Sequence, residues 1–140
     1  MALTLELANR IVAAAIAHAR SSGYKPMAVV VLDDAGHTRT AQRDDGASMF
    51  RIDIATGKAW ASIAMGAASR ALTQRAKDLP AFFGALAATG QGRFIPQTGA
   101  VLVRDAAGNV VGAVGASGGT GDEDEEICIA GVREAGLEPG

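Results

Sequence analysis

With 140 residues, 49% hydrophobic but only 4% aromatic, the chain is long enough for one compact domain over residues 1–140, and alanine, glycine and aliphatic side chains must supply most of its core. A formal net charge of −2, with both signs spread along the chain, gives no basic footprint for nucleic acid and no basic amphipathic helix for a membrane. A single cysteine, Cys128, excludes an intrachain disulfide and a cysteine-cluster metal site; with no signal-peptide pattern and no spanning apolar run, the expected location is cytoplasmic.

Residues 4–22 read as a helix. Thr4 is placed to cap it, Glu6 sits in its first turn, and Gly23 stands where it should stop. Leu7, Ile11, Ala14, Ala15 and His18 share one face, which puts His18 on the core side or its edge. Met27–Leu32 fits a central strand, Asp33-Asp34-Ala35-Gly36 is turn chemistry, and His37–Arg43 is a more polar partner strand. The pattern returns in Val101–Arg104, the turn Asp105-Ala106-Ala107-Gly108-Asn109, and Val110–Ala116. Two hairpins sharing a D-x-A-G turn are therefore expected in one sheet.

Between the hairpins the chain reads as helical. Ser48 is placed to cap a helix running to about Met65, with Ile52, Ala55, Ala59 and Ile63 facing inward. Gly57 inside it costs roughly 1 kcal/mol relative to alanine, which makes sense where another backbone passes close. Gly66 and Ser69 loosen the chain, and Leu72–Lys77 is a short helix. Asp78 is placed to cap another, with Pro80 in its first turn and Gly90 beyond its end. Gln91–Gly99 is loop or a short edge strand. The Ala55–Ala68 stretch is apolar on more than one side, so it needs more than one packing partner and predicts a homodimer or larger assembly that uses this helix or its flanks.

The chemistry gathers in Val110–Ala135. A buried strand runs into Ser117–Gly121, where three of five residues are glycine, and then into the acids Asp122 to Glu126 and an apolar-periodic helix. A glycine turn feeding a helix suggests a phosphate cradle, but no lysine or arginine lies between Arg104 and Arg133, and first-turn acids repel an anion. A capped structural turn and a site for a cation or neutral polar ligand are the two readings. Hairpins imply antiparallel pairing and the helices carry apolar stripes, so the expected class is α+β, not doubly wound.

Ala28–Gly36, Arg43-Asp44-Asp45-Gly46-Ala47, Asp53-Ile54-Ala55 with Lys58-Ala59, and Gly112–Gly118 followed by Asp124-Glu125 resemble, in order and over nearly the whole chain, the GlcG/HbpS-like family (DUF336). That family also supplies the C-terminal domain of PduO-type cobalamin adenosyltransferases. The resemblance implies a profilin-like fold, a five-stranded antiparallel sheet flanked by helices, together with self-assembly. Some members bind haem or iron, and many lie in small-molecule catabolic operons. It also implies a haem-ligand role for His18, which lies in the helix matching the one that carries a haem-ligating histidine in PduO-type domains. The chain departs at Pro96-Gln97-Thr98-Gly99-Ala100, where the family often has a glycine pair and a second proline. A pocket lined by that loop would have a different polarity here.

Each candidate has a plain structural reading beside the chemical one. His18 is either a hydrogen-bonded helix residue or a haem ligand. Arg43 and Lys58 form ion pairs with Asp44 or Asp53, or together hold a small carboxylate on an arginine fork. Glu123 and Glu126, at i and i+3, are a solvated helix start or part of a divalent-cation site. Ser117, Gly118 and Gly119 form a turn or contact a cofactor; Ser117 lacks a histidine partner and a nucleophile elbow. Cys128, among acids, reads as structural. The leading expectation is a small oligomeric binding protein for haem or a small carboxylate metabolite. The alternative is a lyase or isomerase in which Arg43, Lys58 and Asp124 do electrostatic and proton-transfer work. In both, the Ser117–Gly121 turn, Arg43 and Lys58 are expected to converge, within one subunit or across a subunit interface, on one polar pocket.

Overall fold

The computed structural model describes residues 1–140. In chain order its elements are α1 (Leu5–Ser21), β1 (Ala28–Asp33), β2 (Thr38–Arg43), α2 (Phe50–Met65), α3 (Ser69–Asp78), α4 (Pro80–Thr89), β3 (Ala100–Arg104), β4 (Val110–Ser117), α5 (Gly121–Glu134) and β5 (Glu138–Pro139). The five strands form one sheet in the order β2-β1-β4-β3-β5, with every pairing antiparallel. This is the expected α+β, profilin-like arrangement. As its apolar run implies, β1 is an interior strand, paired with β2 on one side and β4 on the other, while β4 holds the middle of the sheet. It joins the two hairpins by pairing with both β1 and β3.

The two turns are built alike. Asp33 Oδ1 accepts hydrogen bonds from the backbone N–H of Ala35 at 3.0 Å and His37 at 2.9 Å. Asp105 Oδ1 accepts from Ala107 at 3.0 Å and Asn109 at 2.9 Å. In each turn a short carboxylate replaces the backbone partners lost where the chain reverses.

Both faces of the sheet are covered, which is why β1 is apolar at consecutive positions. Its side chains alternate: Val29 and Val31 enter the core under α1 and α5 with Ile11, Val12, Ile127 and Val132, while Val30 and Leu32 meet Ala55 and Ala59 of α2. Burying each such aliphatic side chain contributes about 1.5–3 kcal/mol. Small residues bring α2 onto β4: a Cβ on Gly115 would lie 2.3 Å from the Ala55 carbonyl oxygen. Gly57 behaves as expected, since the loop backbone at Ile95 donates to its carbonyl at 3.2 Å and the Ile95 side chain fills the space of a Cβ.

A third cluster holds three of the six aromatic residues, Trp60, Phe83 and Phe94. Leu72 of α3 and Phe83 of α4 join Ala61 and Phe94 against the far side of α2, and the Trp60 and Phe94 rings meet edge-on at 6.5 Å. The second apolar side of α2 is therefore covered within the chain, which removes the reason for expecting that helix itself to be a subunit interface. Two caps also differ from expectation. Neither Ser48 nor Asp78 caps a helix; α2 and α4 begin without a side-chain cap, and Asp78 instead accepts from Gln74. Ser69 does not loosen the chain. It is fully buried at the start of α3, accepts from the N–H groups of Gly99 and Ala100 and donates to Ala100 O, pinning the entry to β3. No helix is long and apolar enough to cross a membrane.

Candidate functional site

β4 ends at Ser117, and the chain must turn sharply to start α5. Gly118 makes that turn with φ at 152°, and a Cβ there would strike the Pro26 carbonyl oxygen at 2.2 Å, so only glycine fits. Thr120 then caps α5: its side chain accepts from Glu123 N–H while the Glu123 carboxylate accepts from Thr120 N–H. This leaves Asp124 on the inward side of the first turn, 2% exposed, with Oδ1 accepting from Gly119 N–H at 2.9 Å.

Lys58 of α2 reaches the same place. Its Nζ lies 3.0 Å from Asp124 Oδ2 and 3.1 Å from the Ala116 carbonyl oxygen. It passes against Gly99, where a Cβ would lie 2.7 Å from Nζ. Ile54 and Arg51 sit one and two turns before Lys58 on the same face of α2. Arg51 Nη1 is 3.4 Å from the hydroxyl of Ser117. Together with Gln97 and Thr98 of the loop before β3, these residues line an open polar cleft of about 470 Å³. That volume suits a small molecule. Burial pushes the Asp124 carboxyl above its usual range, and the opposing effects of Lys58 and the Gly119 N–H reduce that rise.

The structure thus brings Lys58, Asp124, Ser117 and Gly119 together. Arg43 is not with them. It lies on the edge strand β2, donates to Ala47 O at 2.5 Å and borders a depression between α1 and β2. Its neighbour Asp44 pairs with Arg20 instead. Within one chain the expected convergence of Arg43 on the turn is therefore corrected: strand pairing fixes Arg43 at the sheet edge, and Arg51 takes the place foreseen for it. Arg51 was legible as the residue seven before Lys58, on the same helix face, although no motif marks it.

His18 lies elsewhere, half-exposed on the outer side of the α1–α5 pair. Its Nε2 donates to Glu126 Oε2 at 2.8 Å, and the Tyr24 hydroxyl donates to the same oxygen at 2.7 Å. These two bonds hold the Glu126 carboxyl below its usual range, Tyr24 more than His18. Beside the imidazole runs an open groove lined by Ala14, Ala17, Ser21, Ala130 and Glu134. It shares no lining residue with the cleft, so His18 and the Ser117–Gly119 turn do not border one pocket. The Glu123–Glu126 spacing makes no shared cation site, since Glu123 is used in the cap and Glu126 faces His18 and Tyr24; nowhere do three His, Cys, Asp or Glu side chains cluster as metal ligands. Cys128 is fully buried, and burial, more than the charge of Asp124, raises its thiol far above the normal range.

Solved structures resemble this chain over most of its length. A Klebsiella pneumoniae protein, ORFY, of family DUF336 is 28% identical over 95% of this chain and 90% of its own, with a TM-score of 0.86. A double mutant of Streptomyces reticuli HbpS is 28% identical over 95% and 86%, with a TM-score of 0.82. A PduOC–haem complex is similar in fold, with a TM-score of 0.87 at 24% identity over 98% and 97% of the two chains. No curated protein sequence matches. The family model described as "Haem degrading protein HbpS-like" matches residues 3–133, and the chain belongs to this HbpS-like (DUF336) family.

Proposed function

We propose that this protein is a small oligomeric ligand-binding protein that takes haem at the His18 groove. The observation that carries the reading is the setting of His18: an accessible imidazole, oriented by a carboxylate at 2.8 Å, beside a groove floored by alanines. A carboxylate behind a histidine fixes its ring and raises its basicity as a ligand. Ala14, Ala17 and Ala130 project nothing beyond Cβ, so a flat apolar ring can approach the helix surfaces. The cleft at Lys58 does not fit a macrocycle, because Ile54 is its one apolar lining residue. Membership of a family described by haem degradation, and a relative crystallised with haem, support the same reading.

When bound, haem supplies an iron centre for redox and ligand-exchange chemistry. This chain supplies the imidazole, its orientation through Glu126 and Tyr24, and one apolar wall. Titrating haem into the protein and following its Soret band tests the assignment. Wild type is expected to bind, and His18→Ala to bind at least about tenfold more weakly. Equal binding by both would remove His18 from the site.

Self-association belongs to the same proposal, through α4 rather than α2. Phe82, Ala81, Ala85 and Ala88 of α4 are exposed, as is Leu79 before it, so an apolar helix shows an apolar outer face. Faces of this kind usually meet a partner. A cytoplasmic location completes the reading; the single, buried, unpaired cysteine is in keeping with it.

A further inference from the structure

We infer that the cleft between α2 and the Ser117–Asp122 turn is a second ligand site, independent of His18, for a small monocarboxylate bearing a neighbouring hydroxyl or carbonyl oxygen. The argument begins with the cations. Lys58 and Arg51 are the cations that line the cleft. Lys58 is buried and spends two of its N–H groups on Asp124 and Ala116. Arg51 has no carboxylate within ion-pair distance, and its one side-chain hydrogen bond is the long 3.4 Å contact to Ser117 Oγ. A half-buried guanidinium facing a polar cleft with so little to bind lacks a partner, and its planar fork matches a carboxylate.

Charge then selects among anions. The two cations face two carboxylates, Asp122 and Asp124, from the opposite wall. Asp122 is also bound by Arg70 from outside. A monoanion completes the Arg51 pairing, whereas a phosphate near two charges is repelled by Asp124 and by the acidic first turn of α5. The remaining groups are neutral and polar: Ser117, Thr98, Thr120 and Gln97. They suit oxygens next to the carboxylate and offer little to an alkyl chain. Thr98 stands where the family pattern often has a glycine, so its hydroxyl adds to the polarity of this wall. Ser117 is 2% exposed, and its hydroxyl turns toward Arg51, so the two can grip one carboxylate together.

The test uses L-lactate and pyruvate as probes, with lactamide as the uncharged analogue and inorganic phosphate as the competing anion. Amide and arginine side-chain shifts are followed by NMR on the intact protein. Lactate or pyruvate should shift Gly119, Thr120, Gly121 and the Arg51 side chain, and lactamide should not. Arg51→Gln should weaken binding by about tenfold or more, and Arg51→Lys less. Arg51 is only half-buried, so both variants should keep the wild-type melting temperature. His18→Ala should bind the probes as wild type does, which separates this site from the haem assignment. No shift with either carboxylate, equal shifts with lactamide, or tighter binding of phosphate would each overturn the proposal.

Discussion

Lys58 Nζ lies 3.0 Å from Asp124 Oδ2 across 66 residues of sequence, with both side chains almost wholly withdrawn from water. The pair ties the middle of α2 to the first turn of α5. Removing one member leaves the other charged and buried, which costs about 3–5 kcal/mol. Lys58→Met is expected to lower stability by that amount in urea denaturation. The double variant Lys58→Met/Asp124→Leu should recover most of the loss, because no charge is then stranded. A double variant as unstable as the single one would show that the pair is not the cause.

Asp124 also gives a pH signature. Its folded-state carboxyl titrates above its unfolded value, with burial the leading cause. A raised carboxyl favours folding while it is protonated in both states, below the unfolded value near pH 4. That contribution is lost as pH rises through the folded value. Asp124→Asn should therefore flatten the part of the stability profile just above pH 4, and NMR titration of the wild-type side chain should place its midpoint above those of the exposed aspartates.

Asp33 acts in the opposite sense. The N–H groups of His37 and Ala35 hold its carboxyl below the usual range, His37 more strongly. Its stabilisation is present above the unfolded value and is lost as pH falls through the folded one. Asp33→Ala should cost about 1–2 kcal/mol through its two backbone bonds. Asp105→Ala should destabilise in the same direction, since Asn109 and Ala107 use it in the same way. Thermal denaturation near neutral pH and near pH 3 should show the wild-type advantage over Asp33→Ala shrinking in acid.

Cys128 is expected to be unreactive. Its thiol is buried and raised, and its Sγ faces the Gly99 carbonyl oxygen at 3.5 Å. A thiol reagent should label no cysteine in the native protein at mildly alkaline pH and one per chain after denaturation. Rapid native labelling would mean that α5 opens locally.

The outer face of α4 should carry self-association. Phe82 is 54% exposed, so Phe82→Glu leaves the core intact while placing a charge in any interface there. Light scattering is expected to show an oligomer for wild type and a smaller species for Phe82→Glu. A monomeric wild type at micromolar concentration would rule out the assembly.

The sequence by itself determined most of the fold, because the signals concerned are local. The six-residue apolar run Met27–Leu32, the repeated aspartate turns, and the stripes of three- and four-residue spacing on α1 and α2 each depend on side chains close together in the chain. The glycine turn after β4 and the acidic start of α5 were legible for the same reason. Tertiary structure alone decided that β4 lies in the middle of the sheet, because pairing order is a choice among strands with similar apolar patterns. It alone decided that Arg51 rather than Arg43 faces Ser117. Arg43 sits on a strand whose partner holds it at the sheet edge, while α2 packs across the sheet and carries Arg51 and Lys58 over the end of β4. It also covered the second apolar side of α2 with α3 and α4, and it set His18 apart from the cleft by placing α1 and α5 on the opposite face of the sheet from α2. Which side chains share a pocket depends on how faces pack over long range, and no spacing along the chain carries that information.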